Sequence, residues 1–283
     1  MNFHDKLKKK AIVIADICPL YREPSMKSEL TDELTHGMIV EALSEEPNGF
    51  WLVRTHYRYE GYAIPDTLLT GCNMVEHWEN APKWTIWSPY LDIKEGPSVY
   101  TPNIVSCPRG SLLKMLKTNE VYDDGYVEVG MPDGSTGFAR RPCIKPQVTA
   151  WSKSDEKNLR SELVKTAGLY LGVQYRWGGK TPLGIDCSGL TSMAYLLNGV
   201  LIYRDADIRK GFEMKEIPFE DKQPGDLIFF KGHVAMYIGE NEFIHSTAFP
   251  ESAGVVINSF DPASPVYREG MLEKLIKTGS IFH

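Results

Sequence analysis

The stretch GIDCSGLTS, residues 184–192, sets Cys187 between an acid and a serine at the head of an apolar run. The continuation GLTSMAYLLNG reads as a helix that ends near Gly199. Cys187 therefore falls at or just before a helix N-terminus, where unpaired backbone N–H groups and the helix dipole favour a thiolate. A thiolate that cycles through acylation needs a proton acceptor, usually a histidine. Without one, the same cysteine is a small buried side chain.

Of seven histidines, His4, His36, His56 and His77 lie in the first half and His283 is the last residue. Only His233 and His245 sit in strand-like segments downstream of the cysteine, and HVAMYIGENEFIH spaces them symmetrically about Gly239. A hairpin with its apex there puts them opposite each other, about 5 Å apart at the β-carbons. A two-residue turn at Glu240-Asn241 shifts the register and puts them on opposite faces. A catalytic pair thus predicts a loop of three or five residues. In that reading Cys187 attacks a carbonyl, His233 takes its proton, and His245 orients His233.

YRWGGKTPLGIDCSGL (175–190) and GDLIFFKGHVAMYIGENEFIHST (225–247) resemble, in order, the nucleophile and histidine motifs of the NlpC/P60 cysteine peptidases. The resemblance implies an α+β papain-like domain that cleaves bonds to D-glutamate in bacterial cell-wall peptides. It makes Cys187 the nucleophile, His233 the base and His245 the polar third member. Tyr175 matches the family tyrosine whose phenol donates to the oxyanion beside the Cys187 N–H. Gly178 and Gly179 let the backbone approach substrate, or simply form a turn. Around this domain, SDEKNLRSELVKTAGLYLGV has helical spacing with Ser154 or Asp155 as cap. DLIFF, HVAMYIG, EFIHSTA and GVVINSF read as strands of an antiparallel sheet.

The first half of the chain carries one pattern twice. LYREPSMKSELTDELTHGMIVEAL (20–43) parallels IKEGPSVYTPNIVSCPRGSLLKML (93–116), with Gly37 and Gly110 in register. GFWLVRTHYRYEGYAIPD (49–66) parallels GYVEVGMPDGSTGFARRP (125–142), where MPDGS is a hairpin turn. Short strands and frequent turns imply small antiparallel barrels, and both copies resemble the bacterial SH3 (SH3b) domain. The expected architecture is multidomain: two SH3-like β-barrels, 1–75 and 76–149, then the papain-like domain, 150–283.

Two SH3b domains before an NlpC/P60 domain resemble the γ-D-glutamyl-L-diamino acid endopeptidases of peptidoglycan recycling. The implied partner is a murein peptide with a free N-terminal L-Ala, its diamino acid being lysine or meso-diaminopimelate. Asp186 and Ser188 suit the ammonium, and Glu23 and Tyr59 of the first barrel are mapped to the same end. Glu29, Tyr57 and Glu60 are close alternatives. Asp205 and Trp177 are further substrate contacts, and Ala206 stands where the group usually has a serine. The alternatives are an exported wall hydrolase anchored by its barrels, a non-catalytic SH3b binding protein, and an acyl transferase.

Composition narrows the field. Of 283 residues, 42% are hydrophobic and 24% charged, as in globular proteins. A net charge of −6 points to neither nucleic acid nor an anionic membrane. Five scattered cysteines without a CxxC or Cys/His cluster argue against zinc and against a disulfide framework. No cofactor motif is present, and a monomer is expected. KLKKKAIVIADICPLY has a basic cluster, but Asp16 breaks its short apolar run. It reads as a first strand rather than an export signal, implying a cytoplasmic protein, with an exported or wall-associated one as the alternative.

Overall fold

A computed structural model of the chain describes residues 9–116, 120–122 and 124–283, so His4 and the start of the basic cluster lie outside the described residues. Contacts divide the chain into two compact units, the first ending at Gln147 and the second running Val148–His283. Among the described residues no helix is long and apolar enough to cross a membrane.

The first unit contains both repeats. Repeat 1 consists of β1 (Lys9–Val13), β2 (Ile17–Tyr21), β3 (Leu30–Thr35), β4 (Ile39–Glu45), β5 (Trp51–Thr55), β6 (Glu60–Ala63) and β7 (Leu68–Thr70). After α1 (Cys72–Asn80), repeat 2 has β8 (Lys83–Ile86), β9 (Tyr90–Lys94), β10 (Asn103–Pro108), β11 (Leu112–Met115), β12 (Tyr126–Gly130), β13 (Thr136–Arg140) and β14 (Ile144–Pro146). The sheet orders are β3-β2-β6-β5-β4-β1-β7 and β10-β9-β13-β12-β11-β8-β14, identical when each strand is advanced by seven. Gly37 and Gly110, paired by the sequence repeat, both have left-handed backbone, φ 81° and 92°, in the turn before the fourth strand of each repeat. Only glycine adopts that conformation without steric cost. The repeats share a seam: the Leu112 N–H donates to the His36 carbonyl at 2.8 Å. There the Trp78 indole of α1 donates to the Gly37 carbonyl at 2.8 Å.

The second unit opens with α2 (Glu156–Gly168) and then pairs β15 (Lys180–Thr181) with β16 (Gly184–Ile185). Asp155 is the N-cap of α2 but makes no capping bond, and Ser152 instead caps the 3-10 turn ahead of it. Next come α3 (Cys187–Leu196), β17 (Lys215–Ile217), β18 (Leu227–Phe230), β19 (His233–Gly239), β20 (Glu242–Thr247), β21 (Gly254–Ser259) and β22 (Leu275–Ser280). The sheet order is β17-β22-β18-β19-β20-β21, antiparallel at every pairing. β17 and β22 are strands beyond the four read from sequence. α3 packs on β19 and β20, and α2 packs on α3. An apolar cluster of Ile228, Phe230, Ala235, Phe243, Phe260 and Met271 braces the sheet. Each large side chain buried there stabilises the sheet by about 1.5–3 kcal/mol.

Candidate active site

Cys187 is the first residue of α3, and Asp186 is its N-cap, with Oδ1 accepting from the Gly189 N–H at 2.6 Å. Gly189 has to be glycine, because a Cβ there would run into the Gly179 carbonyl. The backbone N–H groups of Val234, the second residue of β19, and of Ser188 lie near enough to the Cys187 sulfur to favour its thiolate. Burial, and then the Asp186 carboxylate, push the thiol up to about 11 against the pull of those N–H groups and of Arg204. The helix N-terminus does not prevail, so the resting sulfur keeps its proton.

The histidines are assembled differently from the expected hairpin. The turn is the two-residue one: Glu240 and Asn241 have φ of 50° and 60°, and Gly239 pairs with Glu242. The register then shifts between Gly239 and Tyr237, leaving Ile238 as a β-bulge, so that Tyr237 pairs with Phe243 and Met236 with Ile244. Continued along the strands, this register puts His233 and His245 on one face as diagonal neighbours rather than opposite partners. The bulge undoes the face change that a two-residue turn imposes. His233 Nε2 lies 2.7 Å from His245 Nδ1. The diagonal continues onto β21, where Asn258 Oδ1 lies 2.9 Å from His245 Nε2. Burial, then the neighbouring His245, lower His233 from the usual 6.5 to about 3. Burial lowers His245 to about 4, partly offset by the Asn258 hydrogen bond. Both imidazoles are neutral at pH 7.

On the other side of Cys187 lies a charged lock that the sequence reading missed. Arg204, only 1% exposed, meets Asp186 in a bidentate pair, Nη1 to Oδ1 and Nη2 to Oδ2, each 3.1 Å. It also donates to Ser188 Oγ at 2.9 Å and to the Gly178 carbonyl at 3.0 Å. Asp186 Oδ2 accepts in addition from the Gly178 N–H at 2.8 Å, and Oδ1 from Ser188 Oγ at 3.2 Å. With the Gly189 bond, these donors saturate a carboxylate that offers about four lone-pair positions. The lock thereby ties the loop before the nucleophile to the first turn of α3.

Tyr175 pairs with Ile185 in an isolated bridge beside this loop. Its phenol is raised above the usual value by burial first and then by Cys187 and Asp186, so it remains a hydrogen donor near the sulfur. Gly178 has φ 73° and forms the turn next to Gly179. Trp177 is 59% exposed. Asp205 is exposed and accepts from the Tyr203 phenol, with Ala206 following it. Glu23 and Tyr59 belong to repeat 1, Glu23 exposed and Tyr59 half-buried. The acids withdrawn from water in that repeat are instead Asp32, which accepts from the Tyr57 phenol, and Glu33.

A buried thiol near the start of the strand that carries a neutral, oriented imidazole, with a protonated phenol nearby, has the groups needed for nucleophilic attack on a carbonyl. Comparison with known proteins gives that equipment its context. The model of the NlpC/P60 family matches residues 172–273. Dipeptidyl-peptidase 6 of Lysinibacillus sphaericus is 39% identical over 272 residues, covering 96% of this chain and 99% of that protein. The γ-D-glutamyl-L-lysine dipeptidyl-peptidase of Bacillus subtilis is 35% identical over 133 residues, 44% of this chain and 42% of that one. The crystal structure of an NlpC/P60 family protein from Bacillus cereus shares the fold, with a TM-score of 0.76 at 21% identity over 97% of this chain and 100% of that chain. The protein is a hydrolase of the peptidase kind. The chain belongs to the NlpC/P60 family.

Proposed function

We propose that this protein is a cysteine peptidase that hydrolyses the γ-D-glutamyl–L-diamino acid bond of free cell-wall stem peptides, releasing L-Ala-D-Glu. The observation that carries the reading is Cys187 as the first residue of a helix packed on the strand whose His233 Nε2 lies 2.7 Å from His245 Nδ1. The names of its relatives support the substrate class.

Cys187 attacks the γ-carbonyl while His233 takes the thiol proton. The Tyr175 phenol and the Cys187 N–H donate to the oxyanion, and His233 returns the proton to the leaving amine of the diamino acid. Water, deprotonated by His233, then opens the thioester and restores the thiol. Ser188, Asp205 and Trp177 are the proposed contacts to the dipeptide. The lone pairs of Asp186 are already taken by protein donors and its charge is answered by Arg204, so recognition of the peptide's ammonium calls for another acid. Glu23, with Tyr59, is the first repeat's proposed contribution. The shared strand order supports reading the repeats as SH3-like barrels. A cytoplasmic location goes with a free-peptide substrate.

The test is a mass-spectrometric digest of L-Ala-γ-D-Glu-L-Lys and its meso-diaminopimelate analogue, each with a free and an acetylated N-terminus. Release of L-Ala-D-Glu from the free-amine peptides alone is the expected result. Cleavage of blocked peptides or of intact sacculi would make the protein a wall hydrolase instead.

A further inference from the structure

The third polar residue on the diagonal stands in an unusual position, because its orientation is forced from behind. Asn258 Nδ2 lies 3.0 Å from the Val266 carbonyl oxygen, which also accepts the Ser259 N–H at 2.9 Å. A carbonyl oxygen only accepts, so the side of the amide facing Val266 must be the NH₂. Its Oδ1 therefore faces His245 Nε2, at 2.9 Å. An amide oxygen likewise only accepts, so His245 carries its hydrogen on Nε2. In the neutral ring that leaves Nδ1 bare, and His233 Nε2, 2.7 Å away, must be the donor to it. The remaining nitrogen of His233, Nδ1, is then the bare one.

We propose that Asn258 is a positioning residue that fixes the tautomer of both histidines, so that His233 meets the Cys187 thiol with an unprotonated Nδ1. This rests on the reading of His233 as the base. The Val266 carbonyl sets the amide, the amide sets His245, and His245 sets His233. With the acceptor at position 258 removed, nothing holds the hydrogen on His245 Nε2. It can then sit on Nδ1 and point at His233, which drives the His233 hydrogen onto Nδ1, where it blocks proton transfer from the thiol. A wrong tautomer in the comparable Asp-His arrangement of serine proteases costs about 10⁴ in turnover. Here the residue lies one ring further away and both tautomers stay accessible, so the expected loss is about 10- to 100-fold.

Two variants separate the acceptor from the rest of the side chain. N258A loses both the acceptor and the bond to Val266, whereas N258D loses the bond to Val266 and keeps the acceptor. Long-range ¹⁵N–¹H spectra of the histidine side chains, recorded without substrate, read the tautomers directly. Turnover of L-Ala-γ-D-Glu-L-Lys reads their consequence. The wild type should show His233 and His245 both protonated at Nε2. N258A should show mixed tautomers and a kcat lowered about 10- to 100-fold with KM within about twofold, while N258D should recover most of kcat and the wild-type spectrum. A wild-type His233 protonated at Nδ1, or N258A with unchanged tautomers, overturns the proposal. So does N258D falling as far as N258A, which would assign the effect to the Val266 bond. A wild type with the expected tautomers but no turnover of this peptide counts against the proposed substrate and leaves the tautomer assignment standing.

Discussion

The two sides of Cys187 follow opposite electrostatic plans. On the side of the loop before α3, a guanidinium and a carboxylate are buried together, and every lone pair of Asp186 is occupied by a donor. On the sheet side, three side chains without net charge, His233, His245 and Asn258, run diagonally across neighbouring strands. A saturated ion pair resists rearrangement, because separating its partners leaves a buried charge unanswered. A neutral imidazole row carries no charge at rest and has a free lone pair to take the thiol proton, becoming cationic only as the sulfur turns anionic. In the proposed mechanism one side holds the nucleophile in place, and the other receives its hydrogen.

The largest effect should come from the atom between the two sides. Cys187→Ala removes the proposed nucleophile and should lower turnover by more than about 10⁴-fold. Its melting temperature should stay close to the wild-type value, since the side chains are similar in size. Residual activity within tenfold of wild type in peptide assays would mean that neither side serves this cysteine.

Breaking the charged side should appear first as lost stability. Arg204→Met leaves Asp186 buried and uncompensated and should cost about 3–5 kcal/mol in urea unfolding of the second unit. Adding Asp186→Asn should recover part of that loss. If the double variant is no more stable than the single one, the lock owes little to charge.

Tyr175→Phe removes one proposed oxyanion donor and leaves the packing alone. It should lower kcat about 10²-fold with little change in KM. An equal loss in KM would turn the phenol into a binding contact.

The smallest effect concerns acid. His233 and His245 have folded values of about 3 and about 4, below the 6.5 of an unperturbed histidine. Their contribution to stability is therefore complete above pH 6.5. It is lost as pH falls from there toward 4, because the unfolded chain takes up protons that the folded one refuses. At pH 5 each should contribute about 1–2 kcal/mol less than at pH 7. His245→Gln should flatten that dependence in urea midpoints measured at the two pH values. A slope identical to wild type would show that the row is open to protons in the folded state.

Much of this site was legible because its chemistry is concentrated in two short segments. Cys187 at a helix start and the two histidines in strand-like runs carry the signal themselves. The hairpin was misjudged because a bulge at Ile238 has no sequence signature, and Gly-Glu-Asn allows either loop. Arg204 was missed because its partner lies across a loop, with no periodicity to connect them. Asn258 was read only as part of the strand GVVINSF, yet a polar residue in an otherwise apolar run was the available clue. β17 and β22 escaped because KEI and LIKTGS are short and mixed in polarity. The repeats, by contrast, could be counted on sequence alone, since turn glycines such as Gly37 and Gly110 cannot be exchanged freely.

The bulge at Ile238 makes the length of this hairpin a matter of parity. Deleting one residue of the turn while the bulge stays would send His233 and His245 to opposite faces without altering a single functional side chain. Adding one residue would do the same. Two changes together, or one change with the loss of the bulge, restore the face. Length variation in the turn that leaves the bulge intact should therefore survive natural selection in even steps, whereas deletion of Ile238 itself keeps Tyr237 opposite Phe243 and should be tolerated.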